Sequence, residues 1–78
     1  MRQRVRRNGA WSAENEASYS IVEWDDETGD SDIHEYDADD QLVRRFEWRL
    51  NEASSRPGWL TEFDADGSVL SRRPIHGP

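Results

Sequence analysis

The sequence predicts a mainly β protein, a single small antiparallel β-meander of about five strands. Short segments rich in Tyr, Trp, Ile and Val alternate with turns rich in Asp and Gly, a pattern typical of strands joined by tight turns. The chain has 78 residues, which is enough for one domain. Its longest apolar runs are pairs such as Ile21 and Val22. They are far too short for a transmembrane helix, which needs about 20 apolar residues.

The chain divides into three parts by composition. Residues 1–12 are expected to form a flexible basic arm, because four of the first seven residues are Arg and the pair Asn8 and Gly9 interrupts the pattern. Residues 13–73 form the predicted β domain. Residues 74–78, with two Pro and one Gly, are expected to be a frayed tail.

The predicted strands cover residues 18–24, 32–36, 42–50, 59–63 and 68–72. The third alternates most regularly; its spacing also fits a helix, but the flanking turns and the aromatic residues favour a strand. Residues 51–58 form a loop broken by Pro57 and Gly58, in which residues 51–55 could form one helical turn.

An internal repeat supports the meander. The segment EYDADD at residues 35–40 recurs 27 positions later as EFDADG at residues 62–67. In each copy an Asp can accept a backbone hydrogen bond, and Asp40 or Gly67 would take the left-handed conformation that ends a three-residue hairpin loop. This loop length places Tyr36 opposite Leu42 and Phe63 opposite Val69.

The same register predicts how the two faces are composed, because successive strand residues point to opposite sides. Ile33 is directed away from the face that carries most of the large apolar residues. That face is expected to carry Tyr36, Leu42, Phe46, Trp48 and Leu50, together with Asp32, His34 and Arg44.

Charge is distributed unevenly along the chain. The formal net charge is −7, yet residues 8–43 contain twelve acidic residues and no Arg. This acidic block is interleaved with Tyr, Trp, Ile and Val, so it is expected to be folded rather than a plain acidic tail. The absence of Cys excludes a disulfide framework, a thiolate metal site and a cysteine nucleophile. A cytoplasmic location is the expectation that follows.

Metal binding and catalysis find little support in the sequence. Glu62, Asp64, Asp66 and Gly67 fit the start of a calcium-binding loop, but the position that needs a bidentate Glu is Arg73. Of the carboxylates beside it in the strand, His34 shares its face with Asp32 and not with Glu35, and no nucleophile or phosphate-binding loop accompanies it. We therefore expect a non-enzymatic protein without a metal or cofactor.

The acidic block is the strongest functional candidate. Carboxylates spaced along a rigid sheet can imitate the charges of a nucleic acid and compete for the basic channel of a protein that binds it. The predicted partner-binding residues are Glu23, Asp25, Asp26, Glu27, Asp30, Asp32, Glu35, Asp37, Asp39 and Asp40.

Two resemblances bear on function. Residues 35–42 and 58–70, each with an aromatic residue, a polar turn and an aliphatic residue, resemble the MORN-type and YD-type hairpin repeats of bacterial proteins, although Asp40 replaces the turn Gly. That resemblance implies a β-meander and protein binding. As a short, acidic, Cys-free chain, the protein is also similar in character to phage anti-defence inhibitors, including anti-CRISPR proteins.

The predicted function is accordingly a small acidic inhibitor that binds a basic, nucleic-acid-binding surface of a partner protein, with no direct contact to nucleic acid or membrane. The alternative is a repeat-type protein-binding module, such as an immunity protein or antitoxin, that binds through Trp48 and Trp59. A homodimer formed through the apolar face would supplement the thin core of so small a sheet.

Overall fold

The computed structural model contains one open sheet of six antiparallel strands, each hydrogen-bonded to the next in chain order. It describes residues 2–12, 16–49 and 58–75. The predicted β-meander is confirmed, with six strands in place of about five. The strands are β1 Arg2–Asn8, β2 Tyr19–Asp25, β3 Ser31–Tyr36, β4 Leu42–Arg49, β5 Gly58–Asp64 and β6 Val69–Ile75.

The additional strand comes from the predicted flexible arm, and this part of the prediction is wrong. β1 pairs with β2 along its whole length, from Arg2 opposite Asp25 to Asn8 opposite Tyr19. The basic segment is ordered because its neighbour is acidic and aromatic. Arg2 forms salt bridges with the carboxylates of Glu23 and Asp32, and cross-strand pairs of opposite charge stabilise a sheet.

The other end of the chain is also more ordered than predicted. Pro74 and Ile75, the first residues of the expected frayed tail, belong to β6, opposite Trp59 and Gly58. Pro has no N–H to donate, so its place on the outermost strand costs no sheet hydrogen bond. Residues 76–78 and the helical turn considered over residues 51–55 lie outside the described residues.

The two copies of the repeat form hairpin turns of the same geometry. Tyr36 lies opposite Leu42 and Phe63 opposite Val69, as predicted. The residues that end the two loops, Asp40 and Gly67, have φ angles of 62° and 95°. The 27-residue repeat in sequence is therefore a repeat in structure.

Each hairpin contains an irregularity that the sequence reading missed. The register shifts between Glu35 and Tyr36 in the first hairpin and between Glu62 and Phe63 in the second. Leu42 pairs with Tyr36 while Arg44 pairs with Glu35, so Val43 is the extra residue of a β-bulge. A bulge moves every later side chain of its strand to the other face.

The bulge overturns the predicted composition of the faces. Phe46 lies opposite Ile33, and these two are the most buried large apolar residues, with 2% and 1% of their surfaces exposed. Ile33 thus points into the core and not away from it. Tyr36 and Leu42 lie on the opposite face, with Asp32 and His34. Leu50, which was expected on the apolar face, lies outside the described residues.

The core is small and covers one side of the sheet. Ile33, Phe46 and Leu60 form its centre, and partly buried apolar residues pack around them: Trp11, Val22, Trp48 and Ile75. The connection between β1 and β2 crosses this side, and its Trp11 ring lies 4.9 Å from the ring of Phe46. We call this side the covered face. The opposite side, which carries Tyr19, His34, Tyr36, Trp59 and Phe63, is the open face.

A backbone hydrogen bond from Gly9 N–H to the Ser18 carbonyl closes the base of this connection at 2.9 Å, and Ser18 N–H bonds the Tyr36 carbonyl at 2.8 Å. The described part of the chain contains no helix long and apolar enough to cross a membrane.

Candidate functional site

The ten predicted partner-binding residues do not form one face. β3 runs between the two turns that carry most of them, and its six residues separate those turns by roughly 20 Å. Glu23 and Asp32 lie opposite each other on the open face, and Glu35 lies on the covered face. The β2–β3 turn carries Asp25, Asp26, Glu27 and Asp30, and the β3–β4 turn carries Asp37, Asp39 and Asp40.

In the β2–β3 turn, carboxylates bond within the protein. Asp25 Oδ1 accepts from the backbone N–H groups of Glu27 and Thr28, at 2.8 and 3.3 Å. These two hydrogen bonds hold the pKa of Asp25 below its usual range. Asp26 accepts from Gln3 Nε2 at 2.9 Å and from Trp24 Nε1 at 3.1 Å. Part of the charge in this turn therefore stabilises the turn itself.

On the open face, arginines neutralise the acidic pair. Asp32 lies between Arg2 and Arg49, and its Oδ1 accepts from Arg49 Nη2 at 2.9 Å. Partial burial raises the pKa of Asp32, but the hydrogen bonds from Arg49 and Arg2 outweigh that effect and the net shift is downward. The same contacts with Asp32, and then with Glu23, raise the pKa of Arg2. Glu23 and Asp32 are thus part of a salt-bridge network.

Glu35 is not part of any surface. Its side chain is fully buried, and its Oε2 accepts from the Ser12 backbone N–H at 3.0 Å. This bond ties the β1–β2 connection to the covered face. The predicted role of Glu35 in partner binding would require exposure that the fold does not give it.

The fold brings together, at one end of the sheet, an acidic surface that was not predicted from the sequence. In a meander, the β3–β4 and β5–β6 turns lie at the same end of the sheet, two strand spacings or about 10 Å apart. The segment before β2 reaches this end too, and Glu16, Ala17 and Ser18 line an open cleft with Asp37. We call this surface the acidic end; it comprises Glu16, Asp37, Asp39, Asp40, Asp64 and Asp66.

The two turns of the acidic end use their aspartates alike. Asp37 Oδ1 accepts from the N–H groups of Asp39 and Gln41, at 2.9 and 3.0 Å. In the second turn, Asp64 Oδ1 accepts from the N–H groups of Asp66 and Ser68, at 3.0 and 3.1 Å. The first Asp of each turn thus holds the loop, while the third residue, Asp39 or Asp66, lies at an exposed tip.

Two further contacts affect ionisation at the acidic end. The pKa of Asp66 is lowered, first by a hydrogen bond shared with the Asp64 carboxyl, in which Asp64 carries the proton, and then by hydrogen bonds from Ser68. Asp40 Oδ1 accepts from the Tyr19 hydroxyl at 2.6 Å, and this bond raises the pKa of Tyr19 because the phenol donates to an anion.

Glu16, Asp64 and Asp66 are not among the partner-binding residues predicted from the sequence. The internal repeat in the sequence is enough to predict the positions of Asp64 and Asp66. Asp64 and Asp66 are the repeat equivalents of Asp37 and Asp39, and alternate turns of any meander lie at the same end of the sheet.

The other candidate residues are dispersed. Within the described ranges, no three His, Asp or Glu side chains are arranged to hold a metal ion. His34 stacks on Tyr36, with 6.4 Å between ring centroids. Trp48 is half-buried on the covered face, where its ring meets that of Trp11 edge-on. Trp59 is 41% exposed and lies on the open face. A single flat partner surface cannot use both tryptophans.

Comparisons with protein-family models, curated proteins and solved structures find no match to this chain. The resemblance to MORN-type and YD-type repeats stays a prediction.

Proposed function

We propose that the protein is a small non-enzymatic inhibitor that binds, through its acidic end, a basic surface with which a partner protein binds nucleic acid. The observation that carries this proposal is the alignment of two equivalent Asp-rich turns at one end of the sheet. The fold concentrates six carboxylates there. The turn segments that hold them, residues 16–18, 37–41 and 64–68, contain no Arg.

The spacing of the two turns suits a surface built for phosphates. They lie about 10 Å apart, and the charges of one nucleic-acid strand repeat about every 3.4 Å along its axis. A basic channel that binds phosphates about three nucleotides apart on one strand could therefore accept both turns. Hairpin turns closed by side-chain hydrogen bonds also present their charges with little loss of conformational entropy on binding.

Electrostatic recognition of this kind makes association fast and sensitive to salt. A residue at an exposed tip contributes most to such an encounter when its carboxylate is not used to close its own turn, as that of Asp66 is through Ser68 N–H. Asp39 meets this description in the first turn. Its replacement tests the acidic end without removing the bonds that Asp37 makes.

We expect Asp39→Lys to weaken partner binding by about fivefold or more, which corresponds to roughly 1 kcal/mol. The measurement uses the immobilised protein to capture proteins from a lysate of its native host, with elution by a salt gradient and with duplex DNA as competitor. Captured partners should be nucleic-acid-binding proteins that the duplex displaces. From the variant they should elute at lower salt.

The matched control is Glu27→Lys, which makes the same charge change in an exposed turn at the opposite end of the sheet. It should leave the elution profile unchanged. Capture that resists both salt and duplex DNA, or equal loss in both variants, would contradict the proposal.

A further inference from the structure

The open face is basic, although the protein as a whole is acidic. Of the ten Arg in the chain, six project from this face. It also carries four strand carboxylates, those of Glu23, Asp25, Asp32 and Glu47, and Asp25 turns its carboxylate into the following turn. The registers of β1, β4 and β6 place these arginines on the open face: Arg2, Arg4, Arg6, Arg45, Arg49 and Arg72.

Aromatic rings lie among these arginines and cross the sheet. Tyr19 on β2 stacks on Tyr36 on β3, with centroids 5.1 Å apart and planes 17° from parallel, and His34 follows on β3. Phe63 and Trp59 continue the series on β5. Since neighbouring strands lie about 4.8 Å apart, the path from β2 to β5 is roughly 15 Å long.

Guanidinium groups cover three of these rings. Arg6 lies 4.1 Å from the ring centre of Tyr19, Arg45 lies 3.9 Å from that of Phe63, and Arg72 lies 4.7 Å from that of Trp59. Within the described structure, Arg6 and Arg72 pair with rings rather than with carboxylates, and Arg4 forms no salt bridge. These three cations are available to an anionic ligand.

Cations and stacking surfaces together select a particular ligand class. Unpaired bases stack on aromatic rings and on Arg guanidinium planes, while the phosphates between them pair with Arg. A duplex hides the faces of its bases, and its grooves are read by an inserted helix or β-ribbon, which a flat sheet face lacks. We propose that the open face binds single-stranded nucleic acid, laid across the strands from β1 to β6.

This site is separate from the acidic end and does not depend on it. Charges in solution are screened over about 10 Å at 0.1 M salt, so Arg4 and Arg72, which lie near the middle of β1 and β6, act on a bound single strand more strongly than the turns at the end of the sheet do. If Arg4, Arg6 and Arg72 each neutralise one phosphate, the logarithm of the affinity should fall with the logarithm of salt concentration with a slope of about −2.

Fluorescence anisotropy with a labelled twelve-nucleotide oligo-dT tests the site, with a twelve-base-pair duplex as the comparison ligand. The full chain should bind the single strand more tightly than the duplex, with the stated salt slope. Arg4→Gln should weaken binding about threefold or more and make the slope shallower by about 0.7. Arg7→Gln is the matched control, because it removes the same charge from the same strand on the other face, and it should have no such effect.

Two further variants test the other contributions to oligo-dT binding: one removes a stacking ring from the open face, and the other changes a charge at the acidic end. Trp59→Ala should weaken oligo-dT binding about fivefold or more, while circular dichroism and the melting temperature show that the fold is kept. Asp39→Lys should not weaken it, so the result is independent of the partner-binding proposal.

Absence of saturable oligo-dT binding at 50 mM salt would overturn this inference, as would equal affinity for the duplex or equal loss in Arg4→Gln and Arg7→Gln. Binding of poly-glutamate without binding of oligo-dT would also overturn it, since the face would then serve an acidic protein.

Discussion

Asp32 shows how a strand in a strongly acidic segment can form part of a stable sheet. Its carboxylate lies between Arg2 on β1 and Arg49 on β4, so one residue joins three strands. Its side chain is 20% exposed, while those of Arg2 and Arg49 are 46% and 42% exposed. Solvent therefore screens these charged hydrogen bonds in part, and they contribute between a surface ion pair and a buried one.

We expect Asp32→Asn to lower the free energy of unfolding at neutral pH by about 1–2 kcal/mol, because Arg2 and Arg49 each lose one of their charged partners. The folded-state pKa of Asp32 lies below that of the unfolded chain. Its contribution is therefore complete above the unfolded value, about 3.9, and is lost as pH falls through the folded-state pKa. Urea denaturation of both proteins across this range measures the difference.

The difference in free energy of unfolding between the wild type and Asp32→Asn should disappear as the pH falls below about 4, the region in which an Asp carboxyl usually titrates. Asp39→Asn, at an exposed turn tip, serves as the control and should change stability little at any pH. A gap of constant size down to acid pH would show that the loss arises from something other than the ion pairs.

Among the elements, the repeated hairpin is the unit that gives this chain its geometry. Each copy has an Asp that accepts two backbone N–H bonds, a loop-ending residue with positive φ, and a bulge two or three residues later. The turn sets the pairing of the two strands. The bulge then decides which side chains enter the core.

Gly67→Ala tests the turn. Its φ of 95° is one that residues with a Cβ rarely adopt, and a Cβ there would have no neighbour within 4 Å. The cost is therefore one of backbone conformation, about 1–2 kcal/mol, measured by thermal or urea denaturation. Gly67→Asn is the matched variant and should lose less, because Asn tolerates the left-handed region better than Ala. Equal losses would argue against the backbone explanation.

The molecule as a whole is a one-layered sheet, and its stability depends on what covers one side. Among residues 2–12, 16–49 and 58–75, three apolar side chains are buried, and Trp11 packs over them from the β1–β2 connection. On the other side, arginines lie over the half-buried ring of Phe63 and the exposed ring of Trp59. The buried apolar core and the exposed Trp59 thus lie on opposite faces.

We expect Trp11→Ala to lower the free energy of unfolding by about 3 kcal/mol, since large aromatic side chains packed on a core cost this much to remove. Trp59→Ala removes the same type of side chain from the open face. It should cost less than about 1 kcal/mol, the value of its contact with Arg72. Chemical denaturation monitored by circular dichroism compares them, and similar losses would mean that the faces are not divided in this way.

The sequence by itself determined the features that depend on neighbouring residues. Asp residues at fixed places and a residue able to adopt positive φ specify each hairpin turn, and those turns specify the meander and the pairs Tyr36–Leu42 and Phe63–Val69. Such features are readable because turn chemistry is local. The alternation of side chains along β3 likewise specifies that His34 and Asp32 share one face, as the structure shows.

Only the tertiary structure decided the rest. The bulge at Val43 reversed the faces of β4, which brought Ile33 and Phe46 together, because packing of both strands against Trp11 favours that register. The basic arm became β1 because an acidic strand with an unpaired edge lay beside it. The acidic block was divided between two ends, the open face and the core, while Asp64 and Asp66 joined Asp37 and Asp39. These outcomes depend on contacts between residues far apart in the chain, and a pattern of neighbouring residues does not contain them.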